Sequence, residues 1–227
     1  MVHPGCFEIL RKERSDMKNA IHQALRAKTL GRGRFEVHVD LPDFLGLLSV
    51  VTGLFTACGM NIVGGKIRTV GKRAVDVFRV TAREIPDWEK IEQDLVTFVT
   101  KAKQEGIEAV RDEINERLID YLRGHREFYS GRLYPIHVRL HSKGRARETI
   151  VDIHSQDTPA FLYELTNALS LLDINIVRMQ VATRGDTVHD RLWVTHEDGK
   201  KITSEDKLRA LQWAILLIKQ FTHLLPK

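Results

Sequence analysis

Histidine and aspartate are adjacent at His189 and Asp190, a pair of the kind that metal phosphohydrolases use to bind an ion. The surrounding residues alternate between apolar and polar types, which predicts a β-strand. Adjacent side chains of a strand point to opposite faces of the sheet, so these two residues could not bind the same ion. We therefore interpret the pair as ordinary strand sequence and not as a metal site.

A second group of candidate metal ligands comprises His137, His141, Asp152 and His154. The two histidines would lie on one face of a predicted strand, and the other two residues on the neighbouring strand. At ~3.3 Å per residue, histidines four positions apart in a strand are too far apart to bind one ion. A polar, solvent-facing sheet surface is therefore favoured over a metal cluster.

Motifs of known catalytic chemistry are missing from the sequence. It has no H-E-x-x-H, no G-x-S-x-G and no Walker loop. It also has no Gly-Ser loop followed by paired aspartates, the arrangement used for metal-dependent nucleotidyl transfer. We predict no catalytic residue, metal ligand or cofactor within these 227 residues, and a binding or regulatory role is favoured over an enzyme.

The remaining polar residues of interest flank a predicted helix. Asp43 precedes its first turn and can cap the free N–H groups there, and Gly59 ends it in a position that tolerates left-handed backbone. The helix N-terminus can hold a carboxylate, and the Asn61 carboxamide can contact a second polar group. A plain turn role for Asn61 is an equally good interpretation. The apolar residues at helical spacing are Leu47, Leu48, Val51, Leu54, Phe55 and Cys58.

The same unit occurs twice in the chain. A shift of 114 positions places Asp43 on Asp157 and Thr52 on Thr166, and the register continues without a gap from Val37 to Thr81. Glycines and polar residues keep their places in this alignment, which indicates a duplicated domain. Cys58 aligns with a leucine in this register and is expected to be a small core residue.

Each copy is predicted to form a β-α-β-β-α unit, an α+β sandwich with its helices on one face of an antiparallel sheet. The predicted divisions are an N-terminal strand and helix extension (1–32), domain one (33–105), a helical linker (106–131) and domain two (132–227). The extension would contain a strand at 5–10 and a helix at 16–27. Because no strand follows the last helix, residues 133–140 are expected to be the fourth strand of domain two. We also expect the two sheets to associate.

Composition and charge narrow the function further. The formal charge is +5, and arginine and lysine cluster at 11–14, 26–34 and 139–147. No aromatic residues interleave with these clusters, which argues against nucleic acid as a partner. No apolar run approaches the ~20 residues of a membrane span, and the two cysteines form no disulfide framework. We therefore expect a cytoplasmic protein.

Three motifs, each present in both copies, carry a resemblance to the ACT family of regulatory domains. The first copy has Asp43-Phe-Leu-Gly-Leu-Leu, Gly59-Met-Asn-Ile and Val75-Asp-Val-Phe-Arg-Val-Thr. The second copy has Asp157-Thr-Pro-Ala-Phe-Leu, Asp173-Ile-Asn-Ile and His189-Asp-Arg-Leu-Trp-Val-Thr. The resemblance implies two ferredoxin-like open-faced sandwiches that sense a small amino acid.

The ACT resemblance also implies where a ligand would bind. In the family, the loop glycine lets the backbone approach the amino acid; the first copy keeps it as Gly46, whereas the second has Ala160. We therefore predict the site in the first copy, between the loop Asp43–Leu47 and the strand start Asn61–Val63. The residues of both potential sites are Asp43, Leu45, Gly46, Leu47, Asn61, Ile62, Val63, Asp157, Ala160, Asn175 and Ile176.

The tandem is most similar to the paired ACT domains of the uridylyltransferase family that modifies PII proteins, where such domains are implicated in glutamine sensing. Leu133-Tyr-Pro-Ile-His-Val and Glu148-Thr-Ile-Val-Asp-Ile resemble the strand pair before the last ACT domain of that family. The implied function is amino-acid sensing in nitrogen metabolism, signalling to catalytic domains or a PII-like partner. Two alternatives are a pairing module without a ligand, within one chain or in a homodimer, and a transcription-linked regulator similar to the glycine cleavage repressor.

Overall fold

The computed structural model describes residues 24–123, 135–142 and 146–225. Within them the chain forms eight strands and five helices. The strands are β1 (Leu25–Gly31), β2 (Arg34–Pro42), β3 (Met60–Val70), β4 (Arg73–Ala82), β5 (His137–His141), β6 (Thr149–Gln156), β7 (Ile174–Arg184) and β8 (Thr187–His196). The helices are α1 (Leu47–Ala57), α2 (Trp88–Glu105), α3 (Glu108–Arg123), α4 (Phe161–Leu171) and α5 (Glu205–His223).

The strands form one continuous antiparallel sheet in the order β1-β2-β4-β3-β7-β8-β6-β5. The first half (residues 24–105) supplies four neighbouring strands and the second half (residues 135–225) supplies the other four. Each half has the same internal order, because β5 occupies the position in the second half that β1 occupies in the first. The expected α+β fold and the association of the two sheets are confirmed.

The two halves meet along a seam that has approximate two-fold symmetry. Strand β3 pairs with β7 so that Lys66 lies opposite Gln180. Above this pair, the Thr52 hydroxyl of α1 and the Thr166 hydroxyl of α4 are 3.1 Å apart. In both pairs the two members are 114 positions apart, so equivalent residues meet each other at the seam. The pairing of β3 with β7 decides which of the aligned pairs of the sequence meet at the axis.

The alternation seen in the sequence explains why the helices cover only one face of the sheet. In β2, Phe35, Val37 and Val39 are buried, while the intervening polar residues face away from the helices. The apolar sides of the five helices join these residues in one continuous core. No helix among the described residues is long and apolar enough to span a membrane.

Helix α3 packs over the α1–α4 pair and breaks the two-fold symmetry. Its Ile114 lies where a Cβ on Gly53 of α1 would come within 2.6 Å, so the glycine permits close helix packing. Its Asn115 accepts a 2.6 Å hydrogen bond from the Tyr163 hydroxyl of α4. Arg111 adds a 2.6 Å bond to Asn167, the position equivalent to Gly53. The linker predicted as helical thus holds the helices of both halves together.

The predicted fourth strand of the second half is confirmed as β5, which pairs with β6 at the sheet edge. The structure places it at His137–His141, and Val138 and Leu140 on it are only half-buried. Residues 133 and 134 of the prediction lie outside the described residues. The domain boundaries predicted from the sequence stay predictions.

Two local predictions are wrong. The helix predicted over 16–27 is contradicted at its end, where Leu25–Gly31 forms β1 and pairs with β2; residues 16–23 and the predicted strand at 5–10 lie outside the described residues. Residues 31–33 have positive φ angles and form the tight turn between the two strands, so the glycines mark a hairpin and not a helix end. Cys58, expected in the core, is exposed because it caps the C-terminus of α1.

Candidate functional site

A cavity of about 340 Å³ lies at the seam between the two halves. The second half contributes the loop Asp157–Ala160 and the first turn of α4. The first half contributes the end of α1, the start of β3 and the end of β4, and Tyr121 of α3 adds a side wall. The cavity therefore exists only because the two halves are joined.

The loop that borders the cavity has a defined backbone shape. The Asp157 amide donates a 2.8 Å hydrogen bond to the Asp186 carbonyl, which ties the loop to the β7–β8 turn. Ala160, immediately before α4, is left-handed at φ 56°. This backbone conformation costs a residue with a Cβ ~1 kcal/mol or more, so the surrounding contacts must hold the loop in place.

A buried lysine supplies one of those contacts. Lys219 of α5 is fully buried, and its ammonium donates hydrogen bonds of 2.8 Å to the Gln156 carbonyl and 3.0 Å to the Thr158 hydroxyl. The same ammonium lies 3.5 Å from the ring centroid of Phe161, the first residue of α4. Lys219 thus joins α5, the loop and the start of α4 behind the cavity.

The opposite wall begins at Asn61 in β3. Its side-chain amide donates a 3.2 Å hydrogen bond to the Asp157 carboxylate across the seam. Arg83, just after β4, also lines the cavity and is exposed. The cavity rim therefore carries a carboxylate, a carboxamide and a guanidinium beside the N-terminus of α4, which favours negative charge.

A buried carboxyl group forms part of the lining. Asp190 is 4% exposed and accepts a 3.4 Å hydrogen bond from the Ala182 amide. Burial raises the pKa of Asp190 to about 7, and the nearby Lys219 ammonium opposes that rise. The equivalent Asp76 of the first half accepts from the Arg68 amide at 3.1 Å, and burial likewise raises its pKa to about 7.

The equivalent loop of the first half has a different environment. Gly46 is left-handed at φ 94°, and a Cβ there would meet Ile107, just before α3, at 3.1 Å. Asp43 does not cap α1, contrary to the prediction; its carboxylate accepts a 2.6 Å hydrogen bond from the Thr69 hydroxyl instead. The chain that leads into α3 therefore occupies the space beside this loop.

The structure combines the predicted site residues differently from the prediction. The cavity brings Asn61 and Ile62 of the first half together with Asp157 and Ala160 of the second half. The other seven predicted residues are not part of its lining: Asp43, Leu45, Gly46, Leu47, Val63, Asn175 and Ile176. The roles of all eleven residues in binding stay predictions. The loop Asp157–Ala160 lines the cavity, whereas the loop Asp43–Leu47 lies beside Ile107, just before α3.

Several lining residues were missed from the sequence. Arg83 and Tyr121 lie outside the repeated motif, so the internal alignment gave no signal for them. Lys219, which supports the loop from behind and is not part of the lining, could have been found, because it lies four residues after the buried Ile215 on the inward side of α5. A lysine at such a position must find hydrogen-bond acceptors or a carboxylate inside the protein.

The predicted separation of His189 and Asp190 is confirmed, since His189 is exposed and Asp190 is buried on the other face of β8. His137 and His154 are also exposed, on the polar face of the sheet, with ring centroids 6.0 Å apart. Among the described residues no cluster of three or more histidine, cysteine or acidic side chains is arranged to hold a metal ion.

Comparisons with known proteins find similarity to bifunctional uridylyltransferase/uridylyl-removing enzymes. No family model matches the chain. The bifunctional uridylyltransferase/uridylyl-removing enzyme of Bradyrhizobium diazoefficiens is 28% identical over 197 residues, which cover 81% of this chain and 19% of the enzyme. The enzymes of the same name from Azospirillum brasilense and Cereibacter sphaeroides are 27% and 24% identical, covering 82% and 85% of the chain and 20% and 23% of each enzyme.

A solved structure, described as an unknown protein from Galdieria sulphuraria, covers 83% of this chain and 92% of its own chain at 13% identity. Its TM-score of 0.26 is too low to support a structural argument. The relationship to the enzymes rests on sequence identity, which is 28%, 27% and 24% for the three enzymes and 13% for this structure. The resemblance indicated by the sequence motifs is confirmed: the chain is similar to a segment that makes up about one fifth of bifunctional uridylyltransferase/uridylyl-removing enzymes.

Proposed function

We propose that this chain is a regulatory module of nitrogen metabolism that binds a small amino acid in the seam cavity. The observation that carries the proposal is the cavity itself, which is built from the motif residues of both halves. Its volume of about 340 Å³ is at the lower end of ligand pockets, which suits a small ligand. Glutamine is the first candidate, because the uridylyltransferase resemblance implies it.

The charges around the cavity match the two ends of a free amino acid. A carboxylate is expected at the N-terminus of α4, with Arg83 as a second positive group. An ammonium is expected between Asp157 and Asn61, where it replaces the hydrogen bond that joins these side chains at 3.2 Å. Each end of the ligand would then contact groups on both sides of the seam.

This arrangement gives the module a way to signal. A ligand held between the α4 loop and β3 stabilises one relative position of the two halves over others, so binding can be read by a protein or domain in contact with both. Catalytic domains of the uridylyltransferase kind, or a PII-like partner, are the proposed recipients. No catalytic step is assigned to these residues.

The proposal is tested by a thermal-shift screen of the whole chain with the twenty amino acids, followed by calorimetry of any hit. Asn61→Ala is expected to weaken binding at least about tenfold, because it removes a direct contact and unpairs Asp157. Asn175→Ala, the equivalent change outside the cavity, is the matched control and should bind as the unchanged chain does.

Two outcomes would contradict the proposal. A hit that binds Asn61→Ala normally and is lost in Asn175→Ala would place the site in the other loop. A complete absence of amino-acid binding would favour a pairing module without a ligand, which the continuous β3–β7 seam and the Thr52–Thr166 contact also support.

A further inference from the structure

The face of the sheet opposite the helices, called the open face below, is strongly basic. The strand pairings show which side chains lie on it, because paired residues point to the same side. Among the described residues, the open face has eleven basic side chains, which are those of Arg26, Lys28, Arg34, Lys66, Arg68, Arg73, Arg79, Arg139, Arg178, Arg184 and Arg191. Within the same part of the chain it has three acidic side chains, those of Glu36, Asp40 and Asp152. The excess of eight positive charges exceeds the formal charge of the whole chain, +5.

The acidic residues of the open face do not neutralise its centre. Asp40 accepts a 2.6 Å hydrogen bond from Arg73 near one end of β2. Asp152 is paired with Arg191 through two hydrogen bonds. Glu36, the third, lies 3.0 Å from a ring nitrogen of His38. All three carboxylates therefore have partners elsewhere on the same face. They do not neutralise Lys66, Arg68 and Arg178 at the seam, where an anion from outside the chain can bind.

The seam places like charges next to each other. Arg68 of β3 and Arg178 of β7 are direct partners across the seam, and both are exposed. Like charges at directly opposite positions of an antiparallel pair destabilise it. Lys66 lies two residues from Arg68 on the same face and is also exposed. A bound anion would remove this repulsion.

Ring side chains lie within the basic surface. His189 and His154 are stacked with their ring centroids 4.1 Å apart, and His137 continues the row. The Arg178 guanidinium lies 4.2 Å from the ring centroid of Trp193. Apart from His137, which lies two residues before the cluster at 139–147, these rings lie outside the basic clusters of the sequence, and the sheet brings them together. The absence of interleaved aromatic residues, which argued against nucleic acid, thus holds for the sequence and not for this surface.

We propose that the open face binds single-stranded nucleic acid. Arginine suits phosphate because its planar guanidinium can donate two parallel hydrogen bonds. The rings can contact the bases of a nucleic acid. An acidic protein offers carboxylates but no bases. An acidic protein is the less suitable occupant, since the centres of protein interfaces are depleted in charge whereas nucleic-acid interfaces are strongly positive. At the seam, the open face presents the charged side chains of Lys66, Arg68 and Arg178 in place of an exposed apolar centre.

The test uses fluorescence anisotropy of the whole chain with a fluorescein-labelled, mixed-sequence 20-nucleotide RNA at several salt concentrations. Binding should weaken as salt rises, with a slope of roughly −0.7 in log K against log salt per phosphate contacted. Arg68→Glu with Arg178→Glu should weaken binding at least about tenfold and reduce the steepness of that slope. The double glutamine variant at these positions should show a smaller loss in the same direction.

The matched control is Lys90→Glu with Arg209→Glu, which changes the net charge equally at exposed positions of α2 and α5. It should retain binding within about twofold, because these residues lie on the helix side. No binding at low salt, or an equal loss in the control, would overturn the proposal. Competition by a polyglutamate peptide as strong as that by unlabelled RNA would also overturn it and assign the face to an acidic protein. Circular dichroism melts establish that each variant is folded.

Discussion

The residue before α1 and the residue before α4 provide a test of how the two halves differ. Gly46 before α1 and Ala160 before α4 occupy equivalent positions, and both are left-handed, at φ 94° and φ 56°. Gly46 has Ile107 beside it, whereas Ala160 lines the cavity. Exchanging the residue types therefore alters the same backbone position in two different surroundings.

We expect Gly46→Ala to lower the free energy of unfolding by about 2–4 kcal/mol. A Cβ in left-handed backbone costs roughly 1–2 kcal/mol. The added atom would lie 3.1 Å and 3.2 Å from two carbons of Ile107, and relieving such overpacking costs typically about 1–3 kcal/mol. Ile107 is half-buried against the core and can yield only in part, which keeps the expected loss below the sum of the upper limits.

We expect Ala160→Gly to change the free energy of unfolding by less than about 1 kcal/mol. It removes left-handed strain of roughly 1 kcal/mol. It also removes a largely buried methyl group, worth about 0.8 kcal/mol, and gives the unfolded chain more freedom. The opposing effects nearly cancel at this position.

The measurement is urea denaturation of both variants, followed by circular dichroism and analysed at a common m-value. Gly46→Ala in an Ile107→Ala background separates the two causes, because only the backbone cost remains there. An equal loss in both backgrounds would refute the contact with Ile107. A loss at Ala160→Gly as large as that at Gly46→Ala would refute the reasoning altogether.

Three further predictions concern buried groups. The folded-state pKa of Asp76 and of Asp190 is raised to about 7, above the unfolded value, so each carboxyl binds its proton more tightly when the protein is folded. The free energy of unfolding should therefore fall as pH rises from about 4 to 7. Replacing both residues by Asn should reduce the difference between the urea midpoints at pH 5 and pH 8. Lys219→Met should lower the free energy of unfolding by about 1–3 kcal/mol in urea titrations, because a buried carbonyl and Thr158 lose their donor, and an unchanged midpoint would contradict this. Gly53→Ala should lower the melting temperature despite alanine's better helix propensity, since the new Cβ lies 2.6–2.8 Å from side chains of α3 and α4; a higher melting temperature would show that the helices can separate.

Much of the fold could be predicted from the sequence, because residue periodicity reports which face of an element is buried. Residues 61–69 and 74–81 alternate around a Val70-Gly71-Lys72-Arg73 turn, a pattern that predicts a hairpin, and strands β3 and β4 form it with Gly71 at φ 64°. The apolar residues that recur at helical spacing after Pro86 are buried in α2, which Asp87 caps by accepting a hydrogen bond from the Lys90 amide; they are Ile91, Leu95, Phe98, Val99 and Ala102. These features depend on neighbours in the chain, so local patterns are sufficient to predict them.

The misses have a different origin. Strand β1 was missed because Leu25, its buried first residue, and the buried Ala24 before it fit a helical spacing as well as an extended one, and the remaining residues of β1 are exposed. Its place depends on backbone pairing with β2, which leaves little trace in residue type.

The candidate site could be predicted only in part for a related reason. The internal repeat identified equivalent loops and strand starts, but periodicity within a half does not say how two halves are joined. The antiparallel pairing of β3 with β7 brings Asn61 beside the loop at Asp157, and the linker brings Ile107 to the loop at Gly46. Long-range pairing therefore decides which motif residues share a cavity.

The pairing of Lys66 with Gln180 at the seam also affects whether the two halves of a newly synthesised chain pair with each other or with another molecule. A first half that joined the first half of another molecule through the same seam would place two Lys66 ammonium groups opposite each other, whereas pairing within one molecule places an uncharged carboxamide there. In that mispaired arrangement Gly64, the residue equivalent to Arg178, would lie opposite Arg68, so the repulsion between Arg68 and Arg178 would be lost while a repulsion at the axis is gained. Direct charge contacts at the seam therefore nearly balance between the two arrangements, and the linker that packs on the helices of both halves favours pairing within one molecule.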